Sequence, residues 1–356
     1  MSDAPSPRLG VDVVVVGAGI AGLAVAQALS EQGRRVAGIE ARALIGGRLR
    51  STRAGLDIGA TWFWDNEPRV ARLVKELGLE VDRQYVAGDA LFHQRGAVQR
   101  LEGNPIDGPC SRIRGGARRL AVALAQQLPP DTVTCGQQVR RITALGDRLL
   151  VTTSVGEISA SHVVLALPPA VAAWGITFTP SLPADLTALA ARTPVWMGAM
   201  TKVVIQYDEP FWRTAGLAGS AISQVGPMRE VHDMCGPDGN PAALFGFVPG
   251  TRVDEPTVTR RAIVEQLVEM FGAQAASPTD VVIHDWRNEP YTSPPGVGAL
   301  VDYRGFGDLR FHEPAMGGRL HWSSTETAVQ FPGHVEGALE AAARTVAAIA
   351  RRGARP

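Results

Sequence analysis

An α/β fold built on a parallel, dinucleotide-binding sheet is predicted from the start of the chain, from its bulk composition, and from the alternation of strand-like and helical periods that follows. Val11 to Val16 is an apolar run, and it leads directly into Gly17-Ala18-Gly19-Ile20-Ala21-Gly22 and an alanine-rich amphipathic segment. The next apolar run closes on Glu40. Strand, glycine turn, helix, strand and acid in that order are the Rossmann-like arrangement. Gly17 permits the tight turn, Gly19 lets a pyrophosphate approach the backbone, and Gly22 lets the helix pack closely on the strand. The helix N-terminus offers N–H groups and partial positive charge to phosphates. Glu40, roughly twenty residues beyond Gly17, stands where a carboxylate accepts hydrogen bonds from ribose hydroxyls. Each glycine alone fits an ordinary βα turn; the ordered set points to an adenine dinucleotide.

The chain has 356 residues, 45% hydrophobic and 20% charged, which suits one large or two interleaved domains. Lysine plus arginine equals aspartate plus glutamate at 35 each, so no net field draws nucleic acid or an anionic membrane. Arg112, Arg114, Arg118 and Arg119 form a local basic cluster that suits a solvated helix start. Cys110, Cys135 and Cys235 are far apart and odd in number, with no Cys/His ligand spacing, so neither a disulfide framework nor a metal site is expected. Reduced thiols fit a cytoplasmic protein. Residues 1–10 lack the pattern of a signal peptide and are expected to be a flexible lead, as are residues 353–356 at the other end. No apolar run reaches membrane-spanning length.

The later elements follow from periodicity. Asn66 to Leu77 predicts an amphipathic helix ended by Gly78. Residues 84–101 predict short strands around Gly88 and Gly96. Gly115-Gly116 precedes a helix through Leu128, stopped by Pro129-Pro130. Val133 to Leu167 alternates strands with turns, the last strand running from His162 to Leu167. Strands are expected near 196–207 and 219–248, a helix from about Thr257 to Phe271, and a packed helix from Gly337 to Ala350.

The residues after Glu40 decide which dinucleotide. Arg42 and Gly46-Gly47-Arg48 follow the acid closely, then Leu56-Asp57-Ile58-Gly59-Ala60-Thr61-Trp62. A second glycine pair with two arginines can close over a pyrophosphate from the other side. The stretch EARALIGGRLRSTRAGLDIGATWFW resembles the N-terminal part of flavin-dependent amine oxidases of the monoamine oxidase class. Two further blocks extend the resemblance from about residue 11 to about 350. One is Met197-Gly198-Ala199-Met200-Thr201-Lys202 followed by Tyr207 and Pro210-Phe211-Trp212. The other is Ser324-Thr325-Glu326-Thr327-Ala328 followed by Gly333-His334-Val335-Glu336-Gly337.

The resemblance implies an FAD-binding domain interleaved with a mixed-sheet-plus-helix substrate domain. FAD-binding parts would lie at 11–80, 111–175 and 286–352, a reduced substrate segment at 81–110, and the substrate domain at 176–285. It implies that FAD lies along Gly17, Gly19, Gly22, Glu40, Arg42, Gly47, Arg48, Gly59, Ala60, Thr61, Trp62, Val139, Trp286, Glu326, Thr327 and Val335. The family's lysine beside flavin N5 falls on Lys202, although a lysine opening a strand is usually a solvated edge residue. An ammonium there stabilises negative charge during oxygen reduction.

The chain departs from the family in three places. His334 stands where the family has a cage tyrosine. The other cage wall falls in the shortened path Trp286 to Gly296, where Tyr291 either fills the position or neighbours it. The helical substrate lobe expected after about residue 80 is nearly absent. With no cysteine in that path, FAD is expected to be noncovalent. The reading is therefore an oxidoreductase that turns the C–N bond of a small-molecule amine into an imine, with oxygen as acceptor and hydrogen peroxide as product. Lys202, His334 and Tyr291 are its candidate catalytic residues, His334 being either an acid–base group or a packing histidine. The alternatives are an FAD-dependent desaturase or dehydrogenase acting on a non-amine substrate, and an FAD-binding protein without turnover.

Overall fold

The computed structural model describes residues 9–250 and 258–353. Strand β1 (Leu9–Val16), helix α1 (Ile20–Glu31) and strand β2 (Val36–Ile39) form the expected unit. β2 pairs parallel with β1, Val13 opposite Val36 through Val16 opposite Ile39. Val13 to Val15 are buried because helices or loops cover both faces of a parallel strand. Gly17 takes φ 103°, and a Cβ at Gly22 would lie 1.9 Å from the Gly17 carbonyl oxygen. The turn and the close packing thus both require glycine. β1 begins earlier than the apolar run suggested. Leu9 and Gly10, assigned to a flexible lead, pair with Ile158 and Ser159; the rest of that lead, residues 1–8, lies outside the described residues.

β3 (Trp62–Phe63), α2 (Pro68–Glu76), β4 (Val81–Arg83), β5 (Asp89–Gln94), β6 (Ala97–Leu101), β7 (Ser111–Ile113) and α3 (Arg118–Gln126) follow. α2 is shorter than Asn66–Leu77 because Pro68 sets its first turn. The four arginines between 112 and 119 are not one solvated helix start. Arg112 lies on β7 and donates to the Cys235 carbonyl, while Arg114 pairs with Glu80 and Asp82. Among the described residues no helix lies between α2 and α3.

The alternating stretch becomes β8 (Val133–Thr134), β9 (Val139–Leu145), β10 (Arg148–Thr153) and β11 (Glu157–Leu165). α4 (Pro169–Gly175), β12 (Thr177–Thr179) and α5 (Ala184–Arg192) come next. Then come β13 (Met200–Tyr207), α6 (Phe211–Thr214), β14 (Leu217–Ser223), β15 (Glu230–Asp233), β16 (Ala242–Pro249), α7 (Arg260–Phe271) and β17 (Asp280–Asp285). β18 (Leu320–Trp322) and α8 (Val335–Gly353) complete the order. α7 starts at Arg260 because Thr259 caps it, its Oγ1 accepting from Ala262 N at 3.1 Å. The expected start, Thr257, lies outside the described residues. At the other end Gly353 closes α8, and residues 354–356 are not described.

The first sheet runs β12-β9-β10-β11-β1-β2-β8. β11 pairs along one edge with β1; along the other it pairs with β10 and then, through Val163 to Leu165, with β18. One face carries α1 and α8 through Val13, Val15, Val25, Leu29, Ala342 and Ile349. The second sheet runs β17-β13-β16-β15-β14-β5-β6 and is mixed. One of its faces packs α7 through Val203, Ile205, Leu244, Ile263 and Leu267. The other, with Val204 and Phe245, meets Leu56 and Ile58 from the loop after β2. No helix among the described residues is long and apolar enough to cross a membrane.

Because a methyl at residue 22 has no room, Gly22→Ala is expected to push α1 off β1 and cost about 1–3 kcal/mol by overpacking. Denaturant unfolding of the two proteins measures the loss.

Candidate active site

A single cleft runs from the glycine turn to the inner face of the second sheet. It encloses about 1960 Å³, its open mouth included. Gly17, Gly19, Glu40, Arg42, Gly47, Arg48, Gly59, Ala60, Thr61, Trp62, Val139, Lys202, Trp286, Tyr291, His334 and Val335 all line it.

At the glycine end the two glycine pairs lie on each other. Gly19 and Gly46 form a parallel bridge, and Gly46 N donates to the Ala18 carbonyl at 2.8 Å. The first-turn N–H groups of α1 have no intrahelical acceptor and point the way an anion needs. Glu40, buried, takes Ala18 N at 2.8 Å on one oxygen and Arg42 N at 2.9 Å on the other. It therefore ties the turn to the loop while lining the cleft. Val139 sits beside it, since Gln137 N donates to the Glu40 carbonyl. Gly59 and Ala60 lie against the Arg48–Arg50 strip through Gly59 N to Arg50 O and Ala60 N to Arg48 O, both 3.0 Å.

The arginines are anchored from afar. Arg48 meets Glu326 with two nitrogens at 2.6 and 3.1 Å. Arg42 donates to Glu289 at 3.1 and 3.0 Å and to Thr292 Oγ1, and Arg50 takes the other Glu289 oxygen at 2.5 Å. Burial works to raise the Glu289 carboxyl's pKa, but Arg42 and Arg50 outweigh it and hold it below the ordinary carboxylate range.

The inner end is built around Lys202. It is the third residue of β13, an interior strand between β17 and β16, so it is no solvated edge residue. Its Nζ donates to the Gly59 carbonyl at 2.9 Å and to Thr61 Oγ1. It lies 4.4 Å from the Phe245 ring centroid and 5.3 Å from that of Phe247. Burial pushes its pKa down to about 7, with the Asp57 charge working the other way. Asp57 is itself pushed up to about 6 by burial. It accepts from Ser51 Oγ at 2.7 Å and from Ala117 N at 2.8 Å, at the start of α3.

Trp62 donates to Gln84 Oε1 at 2.9 Å and packs on Phe245. Trp286 donates to the Ile58 carbonyl at 2.8 Å. His334 bonds Glu67 through Nδ1 and packs beside Trp64 and Trp196. Tyr291 is placed by its neighbours. Thr292 takes Arg42, and Ser293 Oγ donates to the Gly198 carbonyl at 3.2 Å. Among the described residues no close ring pair joins Tyr291 to His334; the aromatic surface around His334 comes from Trp64, Trp196 and Phe331.

Three expected cleft residues lie behind its wall. Gly22 packs against the Gly17 carbonyl. Glu326 has no exposed surface and reaches the cleft only through Arg48. Thr327 turns inward, donating to the Ser324 carbonyl at 2.8 Å and accepting from Arg344 at 2.9 Å. Their neighbours Ser324 and Thr325 line the cleft instead. Sequence reasoning missed Trp64, Trp196 and Trp174, all on the wall. The Trp-x-Trp spacing of Trp62 and Trp64, which puts both on one side of an extended segment, was the available signal for the first.

A helix start with free N–H groups, a buried acid beside it, a backbone cradle without side chains, and a cation at the far end fit a dinucleotide whose reactive end takes up negative charge. They define an oxidoreductase built around such a cofactor. Family comparisons agree: a Rossmann-like NAD(P)-binding domain model matches residues 15–77, and the flavin containing amine oxidoreductase model matches residues 106–350. The chain belongs to the flavin containing amine oxidoreductase family, whose members use a flavin.

Amine oxidase [flavin-containing] A of Sus scrofa is 27% identical, over 94% of this chain and 84% of its own. Amine oxidase [flavin-containing] B of Cavia porcellus is 26% identical, over 94% and 85%. That match spans 451 positions, more than the 356 residues here, so the relative carries segments this chain lacks. Two solved structures share the fold at TM-score 0.83 and 23% identity. One is putrescine oxidase bound to putrescine, covering 97% of this chain and 100% of that one. The other is cyclohexylamine oxidase from Brevibacterium oxydans IH-35A, covering 98% and 100%.

Glu40→Ala removes a carboxylate that accepts from two backbone N–H groups and lines the cleft. It is expected to weaken FAD binding by about 1–3 kcal/mol. Titration of the apoprotein followed by flavin fluorescence gives the dissociation constants.

Proposed function

We propose that the protein is an FAD-dependent amine oxidase. It holds FAD without a covalent bond, oxidises the C–N bond of a small amine to an imine, and passes the electrons to molecular oxygen, giving hydrogen peroxide. The observation that carries this reading is the buried Lys202 at the inner end of a dinucleotide-sized cleft, set between the rings of Phe245 and Phe247 and the oxygens of Gly59 and Thr61. The relatives' names, both amine oxidases, support it. Among the described residues no cysteine lines the cleft, which supports noncovalent attachment. Cys110, Cys135 and Cys235 are unpaired, in keeping with a cytoplasmic setting.

When bound, FAD would supply an acceptor for the hydride equivalent on the carbon beside the substrate nitrogen. The chain's residues provide the rest. The α1 N-terminus and the glycine pairs hold the pyrophosphate, and Glu40 the ribose. Arg48, anchored by Glu326, brings positive charge to the phosphate side. The α8 start at Val335, which lines the cleft, would offer N–H groups to negative charge on a bound flavin. Trp62, Trp64, Trp196 and Phe247 exclude water and present ring faces to a cationic amine. Tyr291 and His334 flank the substrate. Lys202 sets a positive charge where oxygen gathers negative charge.

Acid or heat precipitation is expected to release yellow FAD into the supernatant; flavin retained in the pellet rejects noncovalent binding.

Lys202→Met is expected to keep the fold and the colour but to slow reoxidation of the reduced protein by oxygen roughly thirty- to a thousandfold, the worth of about 2–4 kcal/mol. Burial holds the Lys202 pKa near 7. The charged form is therefore lost as pH rises through that value, and the wild-type rate is expected to fall above it while the variant stays flat. Stopped-flow mixing with oxygen measures both; equal rates in the two proteins reject the role.

A further inference from the structure

Glu67 lies in the turn just before α2, with 1% of its surface exposed. A carboxylate so placed needs partners. One oxygen accepts from Trp64 N at 3.0 Å, and the other lies 2.5 Å from His334 Nδ1. The histidine has little freedom to leave. Its carbonyl accepts from Thr325 Oγ1 at 2.7 Å and from Ala338 N at 3.2 Å, and its N–H donates to the Phe331 carbonyl at 3.1 Å. Trp64 and Trp196 hold the ring, with centroids at 5.3 and 6.3 Å.

An ionised carboxylate only accepts, so the hydrogen of a neutral His334 sits on Nδ1. Nε2, on the far side of the ring, keeps its lone pair, and His334 lines the cleft. The geometry points to Glu67 as a positioning residue that fixes His334 as the acceptor of a proton from the substrate's ammonium. This inference rests on the amine reading. A nitrogen must carry a lone pair to support hydride loss from the adjacent carbon. At pH 7 an alkylamine with a pKa of about 10 is free to less than about one part in a thousand. In the step, an ammonium N–H bond breaks and its electron pair stays on nitrogen. The proton bonds to Nε2, and the imidazolium is balanced by Glu67 until water removes the proton.

The other charges around His334 are themselves engaged. Arg69 pairs with Glu336 at the facing starts of α2 and α8, Arg48 with Glu326, and Asp65 with Arg83. Lys202, across the cleft, is bound to Gly59 and Thr61. Glu67 is thus the carboxylate that touches the ring.

The test uses the flavin-loaded Glu67→Gln protein. Glutamine keeps the size but donates to Nδ1, which moves the ring hydrogen to Nε2. Anaerobic flavin bleaching by a primary alkylamine is followed from pH 7 to 10, and the imidazole nitrogens of the ¹⁵N-histidine-labelled protein are observed by NMR. The expected result is a defect of at least about tenfold at pH 7 that closes as pH approaches the amine pKa, near 10. NMR is expected to give the Nδ1–H tautomer in the wild type and Nε2–H in the variant. Equal rates at pH 7, a defect of the same size at every pH, or an Nε2–H tautomer in the wild type overturns the inference. If Glu67→Gln fails to retain flavin, His334→Gln carries the kinetic test with the same expected closing of the defect. Failure of every amine to bleach the wild type rejects the amine reading itself and removes the proton donor with it. The NMR result distinguishes that outcome from a misplaced Glu67.

Discussion

The cleft depends on one buried charge. Glu326 has no exposed surface, and a carboxylate in that position persists because Arg48 meets it with both terminal nitrogens. Removing one partner of such a pair typically costs about 3–5 kcal/mol, since the other charge is left buried alone. Arg48 belongs to the loop whose Gly46 bridges Gly19, so the pair also holds the second glycine loop on the first. The glycine turn between β1 and α1 is therefore kept in place by a residue from the stretch between β18 and α8. The same device recurs around the cleft: Glu289 gathers Arg42 and Arg50, and Glu336 takes Arg69 N and Val70 N at the start of α2.

At the inner end the balance is different. Lys202 has aromatic rings and neutral oxygens as its neighbours, and the charge that favours its protonation, on Asp57, is itself disfavoured by burial. A lysine so placed is poised near neutrality, which a surface lysine is not. Family membership favours the amine reading over a non-amine desaturase or a silent flavin binder.

The sequence made the backbone cradle legible because glycine positions and an acid at fixed spacing carry a mechanical meaning. The apolar run, the turn, α1 and Glu40 fell where the spacing put them. Lys202 was legible only with its flanking motif, since a lone lysine opening a strand usually faces solvent; the interior place of β13 explains its burial. Glu326 reaches the cleft through Arg48: adjacency in a motif does not say whether a residue touches a ligand or holds the one that does. Trp196 and Glu67 were not legible. Each acts through His334, which is distant in the chain, and long-range contacts leave no local pattern.

The first sheet and its helices have a further consequence for how the chain is made. α1 buries Val25 and Leu29 against β1 and against Ala342 and Ile349 of α8, and β11 finds its last partner in β18. Both α8 and β18 leave the ribosome about 300 residues after α1, at synthesis speeds of roughly 5–20 residues per second. For many seconds the nascent chain presents an apolar helix face and an open strand edge that only its own final segment covers. Exposed apolar surface and an unpaired strand edge of this kind are what make a growing polypeptide prone to self-association.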